Sequence, residues 1–215
     1  MKIPRSLSNR QKEELVKIAL KQIEGFIRDW RKSPHEWNNE RDVQVDIANR
    51  IKKAYRIYGY DRIWAKYTYR HYAEKFRRTG MLMSRVMCEP PVYYRYKNGK
   101  HETYKPDIVI WDNIPHPDKP NESNYENKTN DPMLLVCEIK YKLPWNKAYN
   151  PPKKHTRDLQ KLSNLLRQNK ESKNKDGTKY ACWLNIAYKV DKSSKRDFDN
   201  KPHIKGKLIK YCITL

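Results

Sequence analysis

The chain is expected to fold as an α/β domain in which helices flank a central mixed sheet. Three observations point there: a long N-terminal stretch with helical periodicity, a middle section of strand-sized apolar blocks, and one helical block set between the last strands. A length of 215 residues suits a single domain with elaborations.

The elements follow in order. Residues 8–32 read as a helix, because Ser8 and Gln11 form a capping box and Leu15, Ile18, Ala19, Phe26 and Trp30 recur on one face. Pro34 closes it. A second helix is expected over 36–58. A third, over 61–79, is dense in aromatic and basic residues and ends at Gly80. Strands are then expected at 92–97 and 102–112, on either side of Asn98-Gly99, a strong hairpin signal. Residues 113–131 are polar and carry three prolines, which marks a long loop. Met133–Lys142 is a third strand with the apolar run Leu134-Leu135-Val136-Cys137. Thr156 caps a helix to about 170 whose inward stripe is Leu159, Leu162 and Leu166. Residues 168–179 look like an exposed turn. Strands at 180–190 and Leu208–Thr214 complete the chain. The expected order is helix, three strands, helix, strand, preceded by extra N-terminal helices.

Charge narrows the function. Forty-seven Lys and Arg face 25 Asp and Glu, a net +22 at pH 7. So large a surplus repels itself unless a polyanion neutralises it, and nucleic acid is the usual partner. The opening Met1-Lys2-Ile3-Pro4-Arg5-Ser6 has no apolar run of a signal peptide, and no stretch is apolar enough for a membrane span. Cysteines 88, 137, 182 and 212 lie in apolar, strand-like contexts without a C-x-x-C pair; four reduced thiols in a cytoplasmic protein are expected.

Two strands carry carboxylates in a suggestive pattern. The two-residue period of a strand puts Asp107 on the face of Val109 and Trp111, and puts Glu138 and Lys140 together on one face with Ile139 on the other. If the strands are neighbours, Asp107, Glu138 and Lys140 converge. Two carboxylates suit hard, oxygen-seeking Mg2+, with the Ile139 carbonyl as a further ligand, and a lysine there can orient water or neutralise charge on a phosphate. A third acid comes from the second helix. At about 3.6 residues per turn, Glu40, Val43, Gln44, Ile47, Ile51, Ala54 and Tyr58 share one stripe, so Glu40 faces the sheet with Gln44 as an auxiliary polar group behind it. Asp42 and Asp46 point away.

Pro106-Asp107 on one strand, followed by Glu138-Ile139-Lys140 on the next, resembles the PD-(D/E)xK nuclease superfamily, the restriction-endonuclease-like fold. The resemblance covers about residues 36–190. It leaves 1–34 as an N-terminal helical extension and 191–215 as a C-terminal loop and strand of one domain. It implies that Asp107 and Glu138 are metal ligands, Lys140 the catalytic lysine and Glu40 an auxiliary acid and ligand. It also implies Mg2+ dependence with Mn2+ as a substitute, cleavage of DNA more often than RNA, and endonuclease activity, for which a homodimer is a common assembly.

Substrate grip is expected from basic residues beyond the active strand: Lys142, Lys147, Lys153, Lys154, Arg157 and Lys161. Residues 138–179 hold twelve basic residues against four acids. Residues 47–79 hold ten against two, interleaved with tyrosines expected mostly in the core. The rival reading is a basic nucleic-acid-binding protein without catalysis, in which the same acids form ordinary cross-strand ion pairs.

Overall fold

The computed structural model describes residues 7–65, 81–95, 101–112, 132–142, 153–171, 177–190 and 202–215. Helix α1 spans Asn9–Lys32 and opens with the expected capping box: the Ser8 hydroxyl accepts from the Gln11 amide while the Gln11 side chain accepts from the Ser8 amide. A short 3-10 turn at Pro34–Glu36 separates it from α2, Glu40–Ile57, which Asn39 caps through the Asp42 amide. The second helix thus starts four residues later than the periodicity suggested, because its first turn forms where an Asx cap is available. Tyr58 lies past its last residue and is 60% exposed; Tyr55 takes the buried place, its hydroxyl donating to the Leu15 carbonyl.

A six-stranded sheet forms the centre. Its strands are β3 (Val86–Cys88), β6 (Ile108–Trp111), β7 (Met133–Lys142), β8 (Thr178–Ala187), β10 (Leu208–Thr214) and β9 (Pro202–Lys205), in that spatial order. β3, β6 and β7 run antiparallel to one another in turn, whereas β8 is parallel to both β7 and β10. The parallel step from β7 to β8 needs a crossover, which α3 (Lys153–Glu171) supplies. Gly177, just before β8, is a packing necessity: a Cβ there would strike the Leu165 carbonyl and the Asn169 amide of α3.

Two cores sandwich the sheet. On one face Leu15, Phe26 and Trp30 of α1 and Val43, Ile47 and Ile51 of α2 meet Ile108, Leu135, Cys137, Ile139, Leu184 and Tyr211. On the other, Leu162 and Leu165 of α3 meet Val109, Val136, Ala181 and Trp183. Helix α1, read as an extension, lies inside the first of these cores. No helix among the described residues is long and apolar enough to cross a membrane. All four cysteines are free thiols on strands, Cys137 and Cys182 fully inside.

Several expectations are corrected. The third helix does not begin at 61: Arg62–Ala65 is strand β1, paired antiparallel with β2 (Met81–Ser84), and Ile63 buries its side chain. The β-branched and aromatic pair Ile63-Trp64 has a strand partner, which outweighs helical propensity; residues 66–80 lie outside the described residues. The first sheet strand is Val86–Cys88, not 92–97. Strand β4 (Val92–Arg95) pairs with β5 (His101–Tyr104) as a separate ribbon, with Asn98-Gly99 outside the described residues. The single strand expected over 102–112 is broken at Lys105-Pro106-Asp107, where proline cannot donate to a ladder. Helix α3 begins at Lys153, directly after Pro151-Pro152, so Thr156 falls inside it rather than capping it. It runs to Glu171, and β8 starts at Thr178, so only 172–177 of the expected turn lies between elements. β9, with every side chain exposed, has no apolar alternation to betray it; Gly206, at φ +63°, turns it into β10. The loop expected at 113–131 lies outside the described residues.

Candidate active site

The site forms where β7 outruns β6. Ile108 pairs with Cys137 at the start of β6, so residues 138–142 keep a strand neighbour only on the β8 side. Two amides on the open side need acceptors. Asp107 Oδ2 takes the Ile139 N–H at 2.6 Å, and Glu40 Oε2 takes the Tyr141 N–H at 3.3 Å. Asp107 is held in turn through its carbonyl, which accepts from the buried Gln44 side chain at 2.6 Å and from the Glu89 amide at 3.2 Å. The two strands are neighbours, as the convergence of Asp107 with Glu138 requires, and Val109, Val136, Glu138 and Lys140 share the α3 face by alternation.

Lys140 is the hub. Its ammonium donates to the Ile139 carbonyl at 2.9 Å. It also stands 3.6 Å from Glu138 Oε2, 3.7 Å from Glu40 Oε1 and 3.7 Å from Asp158 Oδ2. At those separations the carboxylates attract it as ions without closing hydrogen bonds. Glu40 thus reaches the site from α2, as its stripe position implied, while its side chain stays 42% exposed.

The carboxylates are not balanced. Four acids (Glu40, Asp107, Glu138, Asp158) stand against two ammonium groups, Lys140 and Lys161, an excess of two negative charges when all are ionised. Burial pushes Glu138 up to about 9, and the charges of Asp107 and Asp158 add to it. Burial likewise raises Asp107 to about 6, although the Ile139 amide and Lys140 pull the other way. Burial draws the Lys140 ammonium down, but the four surrounding carboxylates carry it above the ordinary lysine range.

Buried Glu138, pushed towards its protonated form, and half-buried Asp107 are hard oxygen donors that a divalent cation could engage once the Glu138 proton leaves. Asp107, Glu138 and the Ile139 carbonyl are the donors present, and the carbonyl is engaged by Lys140. Among the described residues no three His, Cys, Asp or Glu side chains stand close enough to hold one ion as they are.

Asp158 was not anticipated. It lies on α3 four and seven residues before Leu162 and Leu165, both buried, so it points at the sheet by the rule that placed Glu40. Reading the inward stripe from Leu159 and Leu166 hid it. Of the expected substrate contacts, Lys161 donates to Asp158 at 3.2 Å and so belongs to the site. Arg157 donates to Glu102 of β5 at 3.0 Å, tying the ribbon to α3. Lys142 is half-buried at the end of β7. Lys153 and Lys154 lie in the first turn of α3 with side chains outside the described residues, and Lys147 lies wholly outside them. No family model, curated protein or solved structure matches the chain.

Proposed function

We propose that this chain is a metal-dependent nuclease of the PD-(D/E)xK type that hydrolyses phosphodiester bonds, in DNA before RNA and internally rather than from ends. The observation that carries it is the acid-rich cluster on Lys140: in a chain of net +22, four carboxylates gather at the open edge of β7, Glu138 buried and the others partly so. A helix, three antiparallel strands, a crossover helix and a parallel strand (α2, β3, β6, β7, α3, β8) support it as the chain order of that family's core.

Asp107, Glu138 and the Ile139 carbonyl would hold Mg2+ or Mn2+, with Glu40 beside them; the ion supplies a water of lowered pKa and neutralises phosphate charge. Glu40 and Asp107 fix the β7 edge by taking its amides. Gln44 sets the backbone of Asp107. Lys140 places a positive charge where the phosphate gains negative charge. The rest of the basic surface holds the polyanion, an attachment that weakens as salt rises.

Incubation with plasmid, linear duplex, single-stranded DNA and RNA, with and without Mg2+ or Mn2+, tests the reading. Cleavage is expected only with metal, and is expected to vanish in Asp107→Ala, Glu138→Ala and Lys140→Ala while binding persists. Full activity in any of these variants, or no cleavage of any substrate, overturns it. In the latter case a non-catalytic nucleic-acid-binding role stands, which the lack of a ready-made three-acid group among the described residues favours.

A further inference from the structure

Lys140 has four acceptors, and they are not equivalent. Glu138 and the Ile139 carbonyl are the oxygens a divalent cation would claim, and Glu40 sits on the same β7 edge. Asp158 alone comes from α3. Its side chain is 16% exposed, and its second oxygen is already bound by Lys161 one turn on, at 3.2 Å. That engagement leaves Asp158 poorly placed as a ligand and well placed as an anchor. A cation between Asp107 and Glu138 would repel the Lys140 ammonium and take its nearest oxygens.

We propose that Asp158 is the positioning residue that keeps the Lys140 ammonium in the site when the other oxygens turn to metal, and that it sets the spacing between Lys140 and Lys161 so that both face one phosphate. This inference rests on the nuclease reading above. The two ammonium groups share a carboxylate fixed on a helix whose Leu162 and Leu165 are buried, so their separation is set by packing rather than by flexible side chains.

The native 215-residue chain, Asp158→Asn and Asp158→Glu are compared by three measurements. These are Ca2+ binding by calorimetry, cleavage kinetics in Mg2+, and the NMR signal of the Lys140 ammonium in the Ca2+-loaded protein, assigned with Lys140→Met. Asp158→Asn is expected to leave Ca2+ affinity and KM within about threefold while kcat falls on the order of 10–100-fold, the range for a partner that orients a working group. The Lys140 signal should persist with Ca2+ in the native protein and broaden away in Asp158→Asn, and Asp158→Glu should recover most of the rate. A loss of Ca2+ affinity of about tenfold or more ties Asp158 to the metal rather than to Lys140 and overturns the proposal. So does an unchanged kcat, or an equal loss in Asp158→Glu. A native protein that cleaves but is indifferent to Asp158→Asn sinks this inference alone. A native protein that neither binds Ca2+ nor cleaves sinks the nuclease reading and takes this one with it.

Discussion

Two cations lie near opposite ends of β6, Arg85 buried and Lys140 half-buried, and they are treated in opposite ways. Arg85, fully inside, donates to the Tyr60 carbonyl at 2.7 Å and the Trp111 carbonyl at 2.9 Å. Its own backbone is bonded to Asp61 and Trp111, and nearby Asp112 is paired with Lys12 at 2.6 Å. Burial lowers the Arg85 guanidinium to about 10, which still leaves it charged at neutral pH. At the other end Lys140 has one hydrogen bond and three carboxylates just beyond hydrogen-bonding distance. Arg85 is closed off by main-chain oxygens that hold loop, edge strand and sheet together. The Lys140 cluster holds more carboxylates than ammonium groups and a buried Glu138 pushed towards its protonated form, a cost tolerated where a ligand can relieve it.

The largest effect should come from the open end. Asp107→Asn, Glu138→Gln and Lys140→Met should each lower the cleavage rate by about 100–1000-fold or more, with duplex binding within a few-fold at fixed salt, as gel-shift and plasmid-nicking assays would read. Comparable loss from Arg85→Met in a protein that remains folded would erase the distinction. Next in size, Arg85→Met should cost about 3–5 kcal/mol in urea unfolding, because it removes a fully buried side chain and leaves two partly buried carbonyls without its bonds.

A smaller effect runs in the other direction. The Glu138 carboxyl ionises at about 9 when folded against an ordinary 4.5. Below 4.5 folded and unfolded chains both hold the proton. As pH climbs towards 9 the unfolded chain loses it while the folded chain keeps it, so stability drains away across that window. Glu138→Gln should therefore raise the melting temperature at pH 8 by about 2–8 °C, equivalent to about 1–2 kcal/mol, and flatten its fall with pH. Mg2+ should raise the native protein's melting temperature more at pH 8 than at pH 5.5, because binding must expel the Glu138 proton. An unchanged alkaline profile in Glu138→Gln would contradict the strained-acid picture. Smallest of all, Lys12→Met should cost about 0.5–1 kcal/mol through the partly exposed pair with Asp112 and leave cleavage untouched.

Periodicity was legible wherever one face is buried and the other wet. The capping box of α1, the bounds of β7 and β10, and the placing of Glu138 and Lys140 on one face of β7 all read directly from residue order. The inward turn of Glu40 and Gln44 did too. Misreadings cluster where partners distant in sequence choose between alternatives. Ile63 and Trp64 suit a strand as well as a helix, and Met81–Ser84 supplies the pairing. Pro106 divides what looked like one strand into pieces belonging to two sheets. Asp158 stayed hidden because which of two adjacent leucine stripes faces inward depends on how α3 lies on β8.

Alternation of side chains along a strand, and a surplus of Lys and Arg, are properties of order and composition alone. They were enough to select the carboxylates and the lysine and to suggest a polyanionic partner. Whether those groups meet depends on distances across separate segments, set by where β6 stops against β7 and how α3 crosses back to β8. The raised Glu138 carboxyl and the approach of Asp158 to Lys140 exist only after that assembly, because desolvation and charge–charge coupling arise from neighbours in space rather than in sequence.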